Sequence, residues 1–292
     1  MRINKALTSA AKSRKADSVG KVLRVSAMNL HLMNGVNLAT AIHRLARACE
    51  GSKPSIEQVT SDSVFQLMLE MAECKAQQEF QLQDTSMPAN CCTIITWSCA
   101  VLRIFVPSLL GVLARVASRS LTDCQPFEVT NMLWGFAELS KREPATAAGL
   151  EAHIQELVDA AAYVMMPRGP ASWKVQVLIS AFVSLTSLPC AGQTTARLLL
   201  LSIAEELAER GAELETANSQ PVFAACYALR WSHPKVFEDI LATVAPKNSA
   251  FISQVFLAGD ASAGKGRRVQ VMQMHRQPAM AASRFLPNSF SL

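Results

Sequence analysis

Apolar positions recur at spacings of three and four along most of the chain, in blocks too long for strands and too regular for loops. Proline and glycine interrupt them at Gly51 with Pro54, at Pro107, at Pro144, at Pro189 with Gly192, and at Pro234 after His233. The pattern predicts five helix pairs. Their first helices lie near 36–49, 90–104, 126–140, 172–186 and 219–231, and their partners near 60–80, 106–120, 146–166, 193–212 and 234–245.

Aligned on these blocks, the first helices read "AIHRLARA" (41–48), "ITWSCAVL" (95–102), "MLWGFAEL" (132–139), "LISAFVSL" (178–185) and "FAACYALR" (223–230). The first four put a large or polar group third, and all five put a small or modest apolar group sixth: Ala46, Ala100, Ala137, Val183 and Ala228. Trp97 and Trp134 match in the third place, with His43 standing where they do; in the fifth, Ala225 takes that place. A helical hairpin cannot bury its apolar face alone, and stacking on its neighbours gives one continuous core. The small residues then let successive first helices approach while the indoles fill the gaps. The expected fold is all-α, an α-solenoid of about five degenerate hairpin repeats over 29–248, with basic extensions at 1–28 and 249–292.

Composition agrees with helices. Half of the 292 residues are apolar, and there are only 12 Gly and 13 Pro. Eight cysteines, at 49, 74, 91, 92, 99, 124, 190 and 226, form no C-x-x-C pair and sit in apolar patterns, so they read as reduced, buried small hydrophobes. No cofactor or metal is expected. "HIQE", His153 to Glu156, puts an imidazole and a carboxylate on one helix face; without a second ligand nearby this reads as a surface hydrogen bond. "SAGKGRR" has neither the glycine spacing nor the Ser or Thr of a phosphate loop. "CCTIITWSCAVLRIFVPSLLGVL", residues 91–113, is long enough to raise a membrane span, but Arg103 at its centre and Pro107 fit a hairpin of two core helices better. No catalytic constellation emerges, and the chain is not expected to be an enzyme.

Charge changes the picture more than its net +5 suggests. Residues 1–49 carry +8, residues 260–292 carry +4, and the stretch between carries −7. Basic ends on an acidic body suit tails that meet a polyanion and a body that meets protein. The phosphate-contact candidates are Lys12, Arg14, Lys15, Lys21 and Arg24 at one end, and Lys265, Arg267, Arg268, Arg276 and Arg284 at the other. The first 24 residues, rich in Arg, Lys, Ser and Ala with one acid, also have the composition of a mitochondrial presequence.

The stretch "QPFEVTNMLWGFAEL" resembles the signature of the octotricopeptide repeats and of the helical repeats that precede RAP domains in FAST-kinase-like proteins. Pro126, Asn131, Leu133, Trp134, Ala137 and Leu139 carry the match. Residues 29–48, "NLHLMNGVNLATAIHRLARA", look like an opening repeat of the same group. The resemblance implies an α-solenoid working on RNA inside mitochondria, or alternatively chloroplasts, as a maturation factor or a ribosomal part. The acidic body argues against base-by-base reading of RNA along it, and no RAP domain is recognisable. The resulting expectation is a structural, RNA-associated component of a mitochondrial ribosome, touching ribosomal RNA and neighbouring proteins. Its rivals are a free RNA maturation factor and an accessory scaffold of a membrane complex.

Overall fold

The structure, a computed structural model, describes residues 2–12, 15–83, 86–217 and 219–263. Among them every regular element is a helix. In chain order these are α1 (Arg2–Ala11), α2 (Lys15–Asn29), α3 (Gly35–Cys49), α4 (Lys53–Thr60), α5 (Ser63–Leu82), α6 (Ala89–Leu102), α7 (Pro107–Ser120) and α8 (Pro126–Arg142). There follow α9 (Pro144–Ala147), α10 (Glu151–Arg168), α11 (Val175–Leu185), α12 (Thr194–Glu209), α13 (Gly211–Thr216), α14 (Gln220–Ser232), α15 (Pro234–Val244) and α16 (Ser249–Ala263). Short 3-10 turns join some of them.

Local chemistry sets the ends. Asn34 and Asn37 exchange side-chain and backbone hydrogen bonds across the first turn of α3, and the Gln125 backbone amide donates to the Glu128 carboxylate at 2.8 Å at the start of α8. The Asp62 carboxylate accepts from the Val64 and Phe65 amides at the start of α5. Pro107, Pro126 and Pro234 each open a helix where an amide would lack a partner anyway. Arg103, at φ 60°, terminates α6 in the left-handed region, so the apolar run 91–113 breaks into α6 and α7 as its composition suggests. No helix among the described residues is long and apolar enough to cross a membrane.

The chain divides into two compact units, with the boundary inside α10 between Ala160 and Ala161. In the first unit α1, α3, α6 and α8 pack in succession, and α2, α5 and α7 form a second succession beside them. Within the second row, Ser108 near the start of α7 donates to Glu73 at 2.9 Å, and Arg119 near its end donates to the Phe80 carbonyl at 2.8 Å. Both contacts advance together along the chain, so α5 and α7 run in the same direction. The chain passes from α5 to α7 through α6, which belongs to the first row.

In the first row His43, Trp97 and Trp134 meet directly. The His43 and Trp97 rings are 5.4 Å apart in an edge contact, and Trp97 and Trp134 are 6.4 Å apart. The three equivalent places of the alignment therefore form one aromatic ladder. Beside it Ala46, Ala100 and Ala137 are buried. α8 comes close to α6 at Gly135, where an added Cβ would lie 2.9 Å from the Thr96 methyl and 3.1 Å from the Thr96 carbonyl oxygen.

In the second unit α11 packs on α14 and α14 on α16, while α12 packs on α15. Arg197 pairs with Asp239 at 2.5 Å, and Lys247 binds both Glu205 and Glu209, so α12 and α15 also run in the same direction. Phe223 and Phe251 tie α14 to α16 through an edge contact at 5.1 Å. The alignment register is not kept here: Val183 and Ala228 are only half-buried, and α11 buries Val175, Leu178, Ala181, Phe182 and Leu185 instead.

Two expectations need correction. The described residues of the expected N-terminal tail, 1–28, are not extended, because α1 and α2 pack on each other and on α3, burying Leu7, Val19, Val22 and Leu23. The start of the expected C-terminal tail is likewise a packed helix, α16, with Phe251 and Val255 in the core; residues 264–292 lie outside the described residues. The physical reason is the same at both ends. An apolar spacing of three and four survives among the Lys, Ser and Ala residues, and it is enough to dock a helix on an existing row.

Candidate nucleic-acid interface

Along α2 the buried positions are Ser18, Val19, Val22, Leu23 and Ser26, a stripe that faces α1, α3 and α5. The opposite stripe exposes Asp17, Lys21 and Arg24. α1 is anchored in the same way: Leu7 is fully buried, and the Asn37 side-chain amide donates to the Asn4 carbonyl oxygen at 2.7 Å. Its exposed side carries Arg2 and Lys5, with Lys12 exposed just past its end. The cations of this region are therefore held on docked helices.

The one acid in the sequence of these two helices is Asp17, 3.9 Å from Lys21 across one turn, with both side chains more than half exposed. Such a pair is screened by water and offsets little of the local positive charge. Of the residues singled out from the sequence, Lys12, Lys21 and Arg24 are thus exposed on this surface. Lys15 is described by its backbone alone, at the first position of α2. Arg14, Lys265, Arg267, Arg268, Arg276 and Arg284 lie outside the described residues, as does most of "SAGKGRR".

A second basic feature emerges only in the fold. On α7, Arg115 and Arg119 place their guanidinium carbons 3.6 and 3.7 Å from the centre of the Phe80 ring on α5. The two arginines one turn apart are visible in "ARVASRS", but their aromatic partner lies some 35 residues upstream of the first of them, so only the row geometry brings them together.

The ladder region is buried and chemically quiet. Burial, with Arg44 and Arg47 close by, pushes the His43 imidazole down to about 3, so it is neutral at any ordinary pH. Arg47 lies 6.0 Å from the Trp97 ring and pairs with Glu50 at 3.0 Å. His153 corrects another expectation. Its ring lies against Gly111, and its Nδ1 is buried without a hydrogen-bond partner, so the surface bond to Glu156 does not form. Seven cysteines are buried; Cys74 is the exception, exposed on α5. Burial raises the Cys91, Cys99 and Cys226 thiols to about 12, which makes them poor nucleophiles and poor ligands. Among the described residues no group of three or more His, Cys, Asp or Glu side chains is placed to hold a metal ion.

Among the described residues every regular element is thus a helix, α5 with α7 and α12 with α15 run parallel, and basic side chains are exposed on the first two helices. No protein-family model, no curated protein and no solved structure matches the chain.

Proposed function

We propose that the protein is an RNA-associated α-solenoid, a structural component of an organellar ribosome, with mitochondria as the expected compartment. In this reading the hairpin rows form a scaffold that meets neighbouring proteins. The basic face of α1 and α2, together with the cations beyond residue 263, meets ribosomal RNA.

The observation that carries the reading is the fixed placement of Lys12, Lys21 and Arg24. They stand on or beside helices whose other faces are buried in the first unit, with one weakly paired acid among them. Cations held in place lose less freedom on meeting a phosphate backbone than cations on a loose tail, and they release its counterions equally. The ladder of His43, Trp97 and Trp134 supports the repeat part of the reading, since it brings together residues that a stacked repeat makes equivalent.

The test is sedimentation of the endogenous protein with and without ribonuclease. Migration with a ribosomal subunit, released by ribonuclease or high salt, is the expected result. A light ribonuclease-sensitive complex would indicate a free RNA factor. Migration that ignores ribonuclease and follows membranes would overturn the proposal.

A further inference from the structure

α7 carries Arg115 and Arg119 one turn apart, and both reach the C-terminal end of α5. Two guanidiniums within 3.7 Å of one ring centre cannot share a face, so the phenyl of Phe80 stands between them and keeps them roughly 7 Å apart. Arg119 also serves the local backbone, because its Nη1 donates to the Phe80 carbonyl at 2.8 Å, close to the end of α5, where carbonyls lack helical partners. Arg115 makes no such bond. Neither arginine has an ion pair among the described residues, whereas Arg47, Lys141, Arg197, Arg210 and Lys247 each have a carboxylate.

Packing accounts for one of these arginines and not for two. Placing a second cation on the same ring adds like-charge repulsion and fixes another long side chain, with no acid to offset either. The ring does, however, hold both guanidiniums in place, and apart from the Arg119 Nη1 bond to the Phe80 carbonyl their donors are not used within the fold. Two guanidiniums held apart by one ring match acceptors that repeat along a chain at a short, regular interval.

We propose that Arg115, Phe80 and Arg119 form a clamp for the phosphodiester backbone of single-stranded RNA, each guanidinium taking one of two neighbouring phosphates. The inference rests on the RNA reading above and extends it to α7. Position favours RNA over an acidic peptide. α2 packs on α5 and α5 on α7, so the clamp stands on the same helix row as Lys21 and Arg24. Guanidinium also suits phosphate better than ammonium does, because it offers paired donors in one plane.

The test uses the full-length protein and a fluorescein-labelled single-stranded oligoribonucleotide of mixed sequence, followed by anisotropy across a salt titration. Removing two phosphate contacts by R115A with R119A should make the slope of log affinity against log salt shallower by about 1.4, at ~0.7 per contact for a single strand. The wild-type advantage should accordingly shrink about sevenfold over a fourfold rise in salt. R115K with R119K should keep the slope and lose affinity, which separates a lost fork from lost charge or lost fold; helical melting curves of each variant check the latter. If the alanine pair leaves the slope unchanged while K12A with K21A and R24A reduces it, the clamp is wrong and the RNA reading stands. If the wild type binds no RNA, both fall together. Dependence of polyglutamate or anionic-vesicle binding on the two arginines, without the same dependence for RNA, would also overturn the clamp.

Discussion

Gly135 gives the most direct test of the row geometry. In an ordinary helix interior Gly→Ala is stabilising by about 1 kcal/mol, because alanine restricts the unfolded chain and costs nothing in the helix. Gly135 lies in α8 against Thr96 of α6. A Cβ there would sit 2.9 Å from the Thr96 methyl, 3.1 Å from the Thr96 carbonyl oxygen and 3.2 Å from its carbonyl carbon. The methyl can turn aside but the carbonyl belongs to the α6 backbone, so α8 must retreat by a few tenths of an ångström. That retreat loosens the contact that also holds Trp97 against Trp134. Overpacking of this kind costs about 1–3 kcal/mol. Set against the propensity gain, Gly135→Ala should destabilise the first unit by about 1 kcal/mol, which lowers the melting temperature by about 2–4 °C for a unit of this size. Gly20, in α2, is the matched control: nothing lies within 4 Å of its added Cβ, so Gly20→Ala should stabilise by roughly 0.5–1 kcal/mol. Thr96→Ser removes the nearer of the clashing atoms and leaves the carbonyl, so it should restore part of the loss in the double variant and none in Gly20→Ala. The assay is urea unfolding by far-ultraviolet circular dichroism, with amide exchange in α6 and α8 as the local readout. Equal stabilisation by both alanine substitutions would mean that α6 and α8 are not in contact at this place, and the stacked rows would fail with it.

Three further outcomes follow from the same packing. The His43 imidazole is neutral in the fold, with a value of about 3 against an ordinary 6.5, because burial and the Arg44 and Arg47 charges oppose its proton. The unfolded chain takes up that proton as pH falls below 6.5, so the stability tied to neutral His43 is complete above 6.5 and is lost as pH falls towards 3. Relative to His43→Phe, the wild type should lose about 1.5 kcal/mol between about pH 6.5 and pH 5, and parallel pH curves for the two would refute the assignment. Deleting residues 2–29 strips Leu7, Val19, Val22 and Leu23 from the core. At about 1.5–3 kcal/mol for each side chain this approaches the whole stability of a domain, so the first unit should lose its cooperative melting; an unchanged melting curve would show that α1 and α2 contribute nothing. In the native protein one thiol, Cys74, should react rapidly with iodoacetamide, and Cys74→Ser should abolish that phase, as mapped by mass spectrometry.

Much of this fold is legible because helix ends are written locally. The spans expected for the first helices differ by only a few residues from α3, α6, α8, α11 and α14, since Pro107, Pro126 and Pro234 and the capping residues act within one turn of where they stand. The equivalence of His43, Trp97 and Trp134 is also readable, because a stacked row repeats the same place in each hairpin. The alignment weakens in the second unit for a physical reason: in α11 and α14 the buried stripe is set by Phe182, Phe223 and Leu229, not by a large residue facing a small one. The unit boundary leaves no mark in the sequence, since it falls inside a continuous helix with no linker.

The N-terminal segment reads as an extension for a reason that bears on the proposed interface. Its abundant Lys, Arg, Ser and Ala suggest a leader, yet the four apolar side chains that dock it need only a spacing of three and four to form a face. Composition and periodicity report different things here: composition describes what the exposed face offers, and periodicity describes whether the backbone is held. A segment can be basic enough to meet a polyanion and still be part of the core. The Arg115–Phe80–Arg119 cluster lies at the opposite limit, where neither composition nor periodicity helps. Its members are ordinary residues on two helices, and they become a candidate site only because α5 and α7 run parallel, so that one turn of α7 closes over one ring of α5.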